Sequence, residues 1–171
     1  LGHEVVVVSG PVEIEYPSAA EVVPVISTEE MLAAAEQQFE SCDGLIGAAA
    51  PSDYRPRPIE PSKIAKTGAP LVLELIETAD VVATLAANKG KRWVVGFALE
   101  TEDHRFRALA KLQRKSCDLM VSNGVEAMHA AENNVEIIDS AGAIIHQYSG
   151  PKPDVGREIL EVIQRHLIDA N

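Results

Sequence analysis

The chain has 171 residues, 46% of them hydrophobic, and a net charge of −11. That length suits one domain with a sizeable core, and a near-zero mean hydropathy excludes a disordered chain. The acidic balance excludes general nucleic-acid binding through net charge, because phosphate backbones select basic surfaces.

No apolar run approaches the roughly 20 residues of a membrane span. The run at 5–8 is far too short and has no basic region before it, so no signal peptide is read. Cys42 and Cys117 lack metal-type spacing and read as reduced cytoplasmic thiols.

In chain order, Leu1-Gly2-His3 reads as the tail of a helix with Gly2 as its stop, so the chain is expected to begin mid-unit. Residues 4–9 (E-V-V-V-V-S) read as a strand buried on both faces. A loop at Ser9-Gly10-Pro11 leads to a short strand at 22–26. Ser27-Thr28-Glu29-Glu30 is a capping box, opening a helix whose stripe is Met31, Leu32, Ala35 and Phe39. Residues 45–50 form the next buried strand.

Residues 70–76 have strand-forming content, and Thr78 is expected to cap a helix running to Asn88 with Gly90 as its end. Residues 92–98 (R-W-V-V-G-F-A) form a central strand. Thr101 caps a helix to about Lys115, with Phe106, Leu109 and Ala110 packing. Residues 118–122 form a short strand, and 136–139 with 143–147 form a hairpin about Ser140-Ala141-Gly142. A last helix over 155–170 presents Ile159, Val162, Ile163 and Leu167.

Strand–helix alternation followed by a hairpin predicts one α/β domain. It is Rossmann-like and doubly wound: a mostly parallel three-layer sandwich with an antiparallel C-terminal edge hairpin.

The stretch from Gly47 to Lys66 carries the strongest chemical signal. A small-residue strand end, Gly47-Ala48-Ala49-Ala50, runs into Asp53-Tyr54. A proline-stiffened loop then holds Arg55, Arg57, Lys63 and Lys66. Four cations against the single Glu60 give that loop a net charge of +3 on an acidic background, which suits a polyphosphate. The plainer alternative is a solvated basic loop, against which the restriction by Pro51, Pro56, Pro58, Pro61 and Pro70 counts.

Ligands in open α/β sheets bind beyond the carboxyl ends of the strands. Residues 47–53, 78–82, 97–101 and 122–124 fall at such ends. Lys111 and Lys115 share one helical face at i,i+4, although most such pairs are merely solvated. Asp53 and Asp80 are candidates for magnesium or ribose contacts, while Asp80 serves equally as a first-turn helix acid. The five histidines are scattered, and no dinucleotide fingerprint, Walker loop or nucleophile set occurs.

Taken together these residues resemble phosphopantothenoylcysteine synthetase, the phosphopantothenate–cysteine ligase domain of the bacterial bifunctional coenzyme A biosynthesis flavoprotein. The marks are S-G-P at 9–11, A-A-x-x-D-Y-R at 49–55, K-I-x-K at 63–66 and A-D-V-V at 79–82. Further along come V-V-G-F-A-x-E-T at 94–101, K-x-x-x-K at 111–115, D-L-x-x-x-N at 118–123 and E-N-N at 132–134. Each is weak alone; their order and spacing are specific.

The resemblance implies a CTP- and Mg2+-dependent ligase acting on 4′-phosphopantothenate and L-cysteine, with no flavin in this chain. It implies a nucleotide site lined by Gly47, Ala48, Ala49, Asp53, Ala79, Asp80, Val81, Val82 and Phe97, with Asp53 toward the metal. Lys63 would act on the phosphates and the activated intermediate from a flap, and Lys111 and Lys115 would add contacts. The flap and dimerisation segment, about 51–76, implies a homodimer, and a fused flavin-dependent decarboxylase domain is implied alongside. No nucleic acid or membrane partner is expected, and the location is cytoplasmic.

Two departures stand out. The strand, glycine-rich turn and helix that open such ligases have no match here, and Ala65 replaces a third flap lysine. Two other classes remain open: a nucleotide-dependent oxidoreductase on a similar sheet, and a non-catalytic nucleotide-binding, regulatory or scaffold domain.

Overall fold

Where apolar runs of four to eight residues recur between helical periods, strands and helices alternate, and they do so here in a computed structural model. The structure describes residues 2–57, 62–66, 68, 70–100, 104–124 and 132–170. In chain order these form β1 (Val6–Ser9), β2 (Glu21–Pro24), α1 (Thr28–Phe39), β3 (Gly44–Gly47), β4 (Tyr54–Pro56), β5 (Leu75–Glu77) and α2 (Val81–Ala87). Then come β6 (Trp93–Glu100), α3 (His104–Lys115), β7 (Leu119–Gly124), β8 (Glu132–Asp139), β9 (Ile144–Pro151) and α4 (Lys152–Ile163). The chain divides into two compact units, Leu1–Ala35 with Ala49–Val81, and Glu36–Ala48 with Val82–Asn171.

The second unit is a mixed α/β fold on a five-stranded sheet in the order β3-β6-β7-β8-β9. β3, β6 and β7 run parallel; β8 and β9 add on antiparallel, as the terminal hairpin predicted. On one face Val95, Leu119, Val121, Val135 and Ile137 pack against Val155, Ile159, Val162 and Ile163 of α4. The alternate residues Val94, Ala98, Met120 and Ile138 are just as buried, and α3 lies against β6 and β7. Burial on both faces is why these strands read as near-continuous apolar runs.

Gly44 pairs with Trp93, and a Cβ there would lie 2.0 Å from the indole Cδ2, so only glycine lets the ring cross β3. The β8–β9 turn has Asp139 Oδ1 accepting from the amides of Ala141 and Ala143, with Gly142 at φ +84°.

In the first unit β1 and β2 form their own parallel pair, and β4 and β5 an antiparallel one. The capping box at the start of α1 forms as read. Ser27 Oγ accepts from the Glu30 amide at 3.1 Å, and the Glu30 carboxylate accepts from the amides of Ile26 and Ser27. Val25 and Ala35 are buried in this unit, while Phe39 at the other end of α1 is buried in the second.

Several expected boundaries are corrected. The strand expected at 45–50 stops at Gly47. Of the strand expected at 70–76, only Leu75 and Ile76 pair in β5, because a strand needs a partner and β4 offers just three residues. Thr78 does not cap α2: its hydroxyl donates to the Ser52 carbonyl, and α2 is shorter, from Val81 to Ala87. On α3 the buried side chains among those described are Ala108 and Leu112, with Leu109 half-buried and Ala110 exposed, while the Phe106 side chain lies outside the described ones. The last helix begins at Lys152, with proline in its first turn, and passes into a π-helical turn at Gln164–Ile168. Leu167 still packs on the core there. The Thr101 cap lies outside the described residues.

Candidate functional site

The nominated residues fall in both units. In the first are Ala49, Asp53, Lys63, Ala79, Asp80 and Val81; in the second are Gly47, Ala48, Val82, Phe97, Lys111 and Lys115.

In the second unit, the carboxyl ends of β3, β6 and β7 share one edge of the sheet, because the three strands are parallel and in register. Gly47 ends β3 beside Val82 of α2: a Cβ on Gly47 would stand 2.5 Å from Val82 Cγ2. Backbone and helix approach that closely only because position 47 has no side chain. Ala48 follows, exposed. Phe97, opposite Val121 in register, is half-buried and packs against the α4-side core, so part of its ring belongs to that core. Lys111 and Lys115 lie one turn apart on α3, both half-buried.

In the first unit Asp53 has an exposed side chain, while its backbone carbonyl accepts from the Thr78 amide at 2.9 Å. That bond and the Thr78–Ser52 bond extend the β4–β5 ladder, which fixes the backbone of Asp53 next to the start of the Ala79-Asp80-Val81 segment. Ala49, Ala79 and Asp80 are exposed, and Val81 is buried.

The basic loop needs a correction. Two of its four cations find anionic partners within the chain: Arg55 pairs with Glu29, and Arg57 Nη1 lies 2.6 Å from Glu74 Oε1. Both partners lie outside the window 55–66, so counting charge inside it overstated the excess. Lys63 and Lys66 are exposed, and no ion pair joins either to another described residue.

Among the described residues no group of three His, Cys, Asp or Glu side chains converges to hold a metal. A lone exposed carboxylate such as Asp53 fits instead the way magnesium is held with a nucleotide, by one or two carboxylates plus substrate phosphates and waters. No described helix is long and apolar enough to cross a membrane.

One polar residue on the sheet was missed as a site residue. Asn133 served only as a family mark, yet its side-chain Oδ1 is buried and meets no hydrogen-bond donor among the described residues. The available signal was its phase, since it alternates with Val135 and Ile137 and so shares their inward face.

Residues 1–167 match the family described as DNA/pantothenate metabolism flavoprotein C-terminal domain. The chain belongs to this family. It is 35% identical over 170 residues to the coenzyme A biosynthesis bifunctional protein CoaBC of Bacillus subtilis (strain 168), covering 95% of this chain and 41% of that protein. The chain thus spans less than half the length of that relative.

A crystal structure of the C-terminal domain of CoaBC superposes with a TM-score of 0.78 at 32% identity. It covers 97% of this chain and 77% of the other. A Cab2 mutant in complex with phosphopantothenate-cysteine shares the fold, with a TM-score of 0.61 at 16% identity over 86% of this chain and 53% of that one.

Proposed function

We propose that this chain is the phosphopantothenate–cysteine ligase domain of a coenzyme A biosynthesis protein, using CTP with magnesium. The observation that carries this reading is the family match over residues 1–167, together with 35% identity to a CoaBC protein across 95% of the chain. The sheet edge described above supports it, being the carboxyl-end rim of parallel strands where α/β folds take ligands, with Ala48 exposed just past the end of β3.

In this reaction the carboxylate of 4′-phosphopantothenate attacks the α-phosphorus of CTP, and the bond to pyrophosphate breaks. The amine of L-cysteine then attacks the acyl carbon of the mixed anhydride, expelling CMP and forming the amide. The first step brings an anion against a polyphosphate, so cations must offset the repulsion and stabilise the charge developing on the leaving group. Lys63, exposed and not ion-paired with any described residue, supplies such a charge, and Lys111 and Lys115 add to it. Asp53 helps hold the magnesium, which screens the phosphates when bound. The residues taken to contact the nucleotide are Gly47, Ala48, Val82 and Phe97 in the second unit and Ala49, Ala79, Asp80 and Val81 in the first.

The working protein is a cytoplasmic homodimer, in keeping with the exposed apolar run Leu71, Val72 and Leu73, and is joined or associated with a decarboxylase domain.

The test uses the full natural polypeptide with labelled CTP. Pyrophosphate release dependent on 4′-phosphopantothenate, and CMP release dependent on cysteine, are the expected results. Lys63→Ala should slow acyl-cytidylate formation by about a hundredfold or more with unchanged thermal stability; unchanged kinetics would remove Lys63 from the mechanism. Stabilisation by NAD(P) and not by CTP in a thermal-shift titration rejects the ligase in favour of an oxidoreductase.

A further inference from the structure

A buried polar atom without a partner costs free energy in the folded state, so one that persists asks what it is for. In Asn133 that atom is the side-chain carbonyl oxygen, closed to solvent although the residue as a whole is only half-buried.

Its position is informative. β8 runs antiparallel to β7, with Asn123 opposite Val135, so the start of β8 lies beside the end of β7. Asn133 therefore sits on the carboxyl-end rim of the parallel strands, where α/β sheets take ligands.

Its face is fixed by alternation. Asn133 is in phase with Val135 and Ile137, which pack against α4, and Asn123 and Phe97 share that face through the register. The core on this face thus gives way to two amides and an aromatic ring at the rim. Opposite Asn133 on β9 stands Gly150, and Tyr148 uses the room: a Cβ at 150 would lie 3.2 Å from the Tyr148 ring.

We infer that Asn133 is a ligand-contacting residue of this rim, its carbonyl accepting a hydrogen bond from an N–H of a substrate with an amide-like edge. This rests on the ligase reading, in which two substrates offer such an edge. The cytosine amine beside its ring nitrogen matches an asparagine amide in both directions, while the secondary amide of the pantothenate moiety is trans and offers the Asn133 carbonyl its N–H alone.

The experiment measures CTP, UTP and 4′-phosphopantothenate affinities of the full natural polypeptide and of its Asn133→Ala and Asn133→Asp variants, alongside their melting temperatures. Asn133→Ala should leave the melting temperature unchanged or raised, since it removes an unsatisfied acceptor, while one substrate binds about tenfold more weakly. Asn133→Asp keeps an acceptor in the same shape and should recover part of that loss.

A fall in CTP affinity with lost preference over UTP assigns the base; a fall confined to 4′-phosphopantothenate assigns its amide. Lowered melting temperatures with all three affinities unchanged make Asn133 structural and overturn the inference while the ligase reading stands. Wild-type protein that binds neither CTP nor 4′-phosphopantothenate overturns both.

Discussion

Leu119, Met120, Ile137 and Ile138, in the unit of residues 36–48 and 82–171, are almost wholly excluded from solvent. In the other unit Ile26 and Val72 stand 83% and 87% exposed, and the buried apolar side chains among its described residues are Val25, Ala35 and Val81. The first of these regions is held by burial, which is non-directional and large in sum. The second takes its local shape from directional contacts: a three-residue ladder, the Thr78 bonds, a capping box and two exposed ion pairs. The lesson is that similar apolar content has two fates. In the sheet it makes the fold, whereas in the arm around Leu71–Leu73 it stays exposed and adds nothing to a core.

The largest effect should therefore come from the sheet. Leu119→Ala, on a side chain 1% exposed between β6, β8 and α4, should cost about 2–5 kcal/mol in urea unfolding. Val72→Ser in the arm should change the stability of the same transition hardly at all. A loss at Val72 as large as at Leu119 would erase the distinction between the two regions.

That contrast also explains what could be read from the residues. Runs such as V-V-G-F-A announced central strands because burial on both faces leaves no polar alternation. The Ser27–Glu30 box and the Asp139–Gly142 turn were legible because their bonds span only two to four residues. The strand expected at 70–76 failed for the converse reason: apolar content signals burial or contact, but pairing depends on a partner fixed elsewhere, and β4 supplies only Tyr54–Pro56. The partners of Arg55 and Arg57 were hidden for the same cause, Glu29 lying 26 residues and Glu74 17 residues away. Gly47 was legible as part of a small-residue strand end, but which side chain fills the space beside it, Val82 of α2, was not. At Asn133 the phase was visible, whereas an unmet acceptor exists only once its surroundings are known.

A middle-sized effect tests the directional side of the comparison. Ser27→Ala removes the oxygen that receives the Glu30 amide and should cost about 1 kcal/mol. Hydrogen exchange should place most of that loss in the first turn of α1. A loss spread evenly over β6 and β7 would mean that the cap supports the sheet as well.

The smallest effect belongs to Arg57 and Glu74. Their side chains are 60% and 64% exposed, so water screens the pair, and ordering two long chains offsets much of the attraction. A double-mutant cycle of Arg57→Ala with Glu74→Ala should return a coupling of roughly 0.2–1 kcal/mol that shrinks as salt rises. What the pair does instead is geometric: with the Arg57 amide bonded to the Glu74 carbonyl at 2.8 Å, it extends the β4–β5 ladder by one step and fixes where the chain between them leaves it. A coupling well above 1 kcal/mol, insensitive to salt, would show that this ion pair is shielded from solvent in the working protein, and that the arm is covered there.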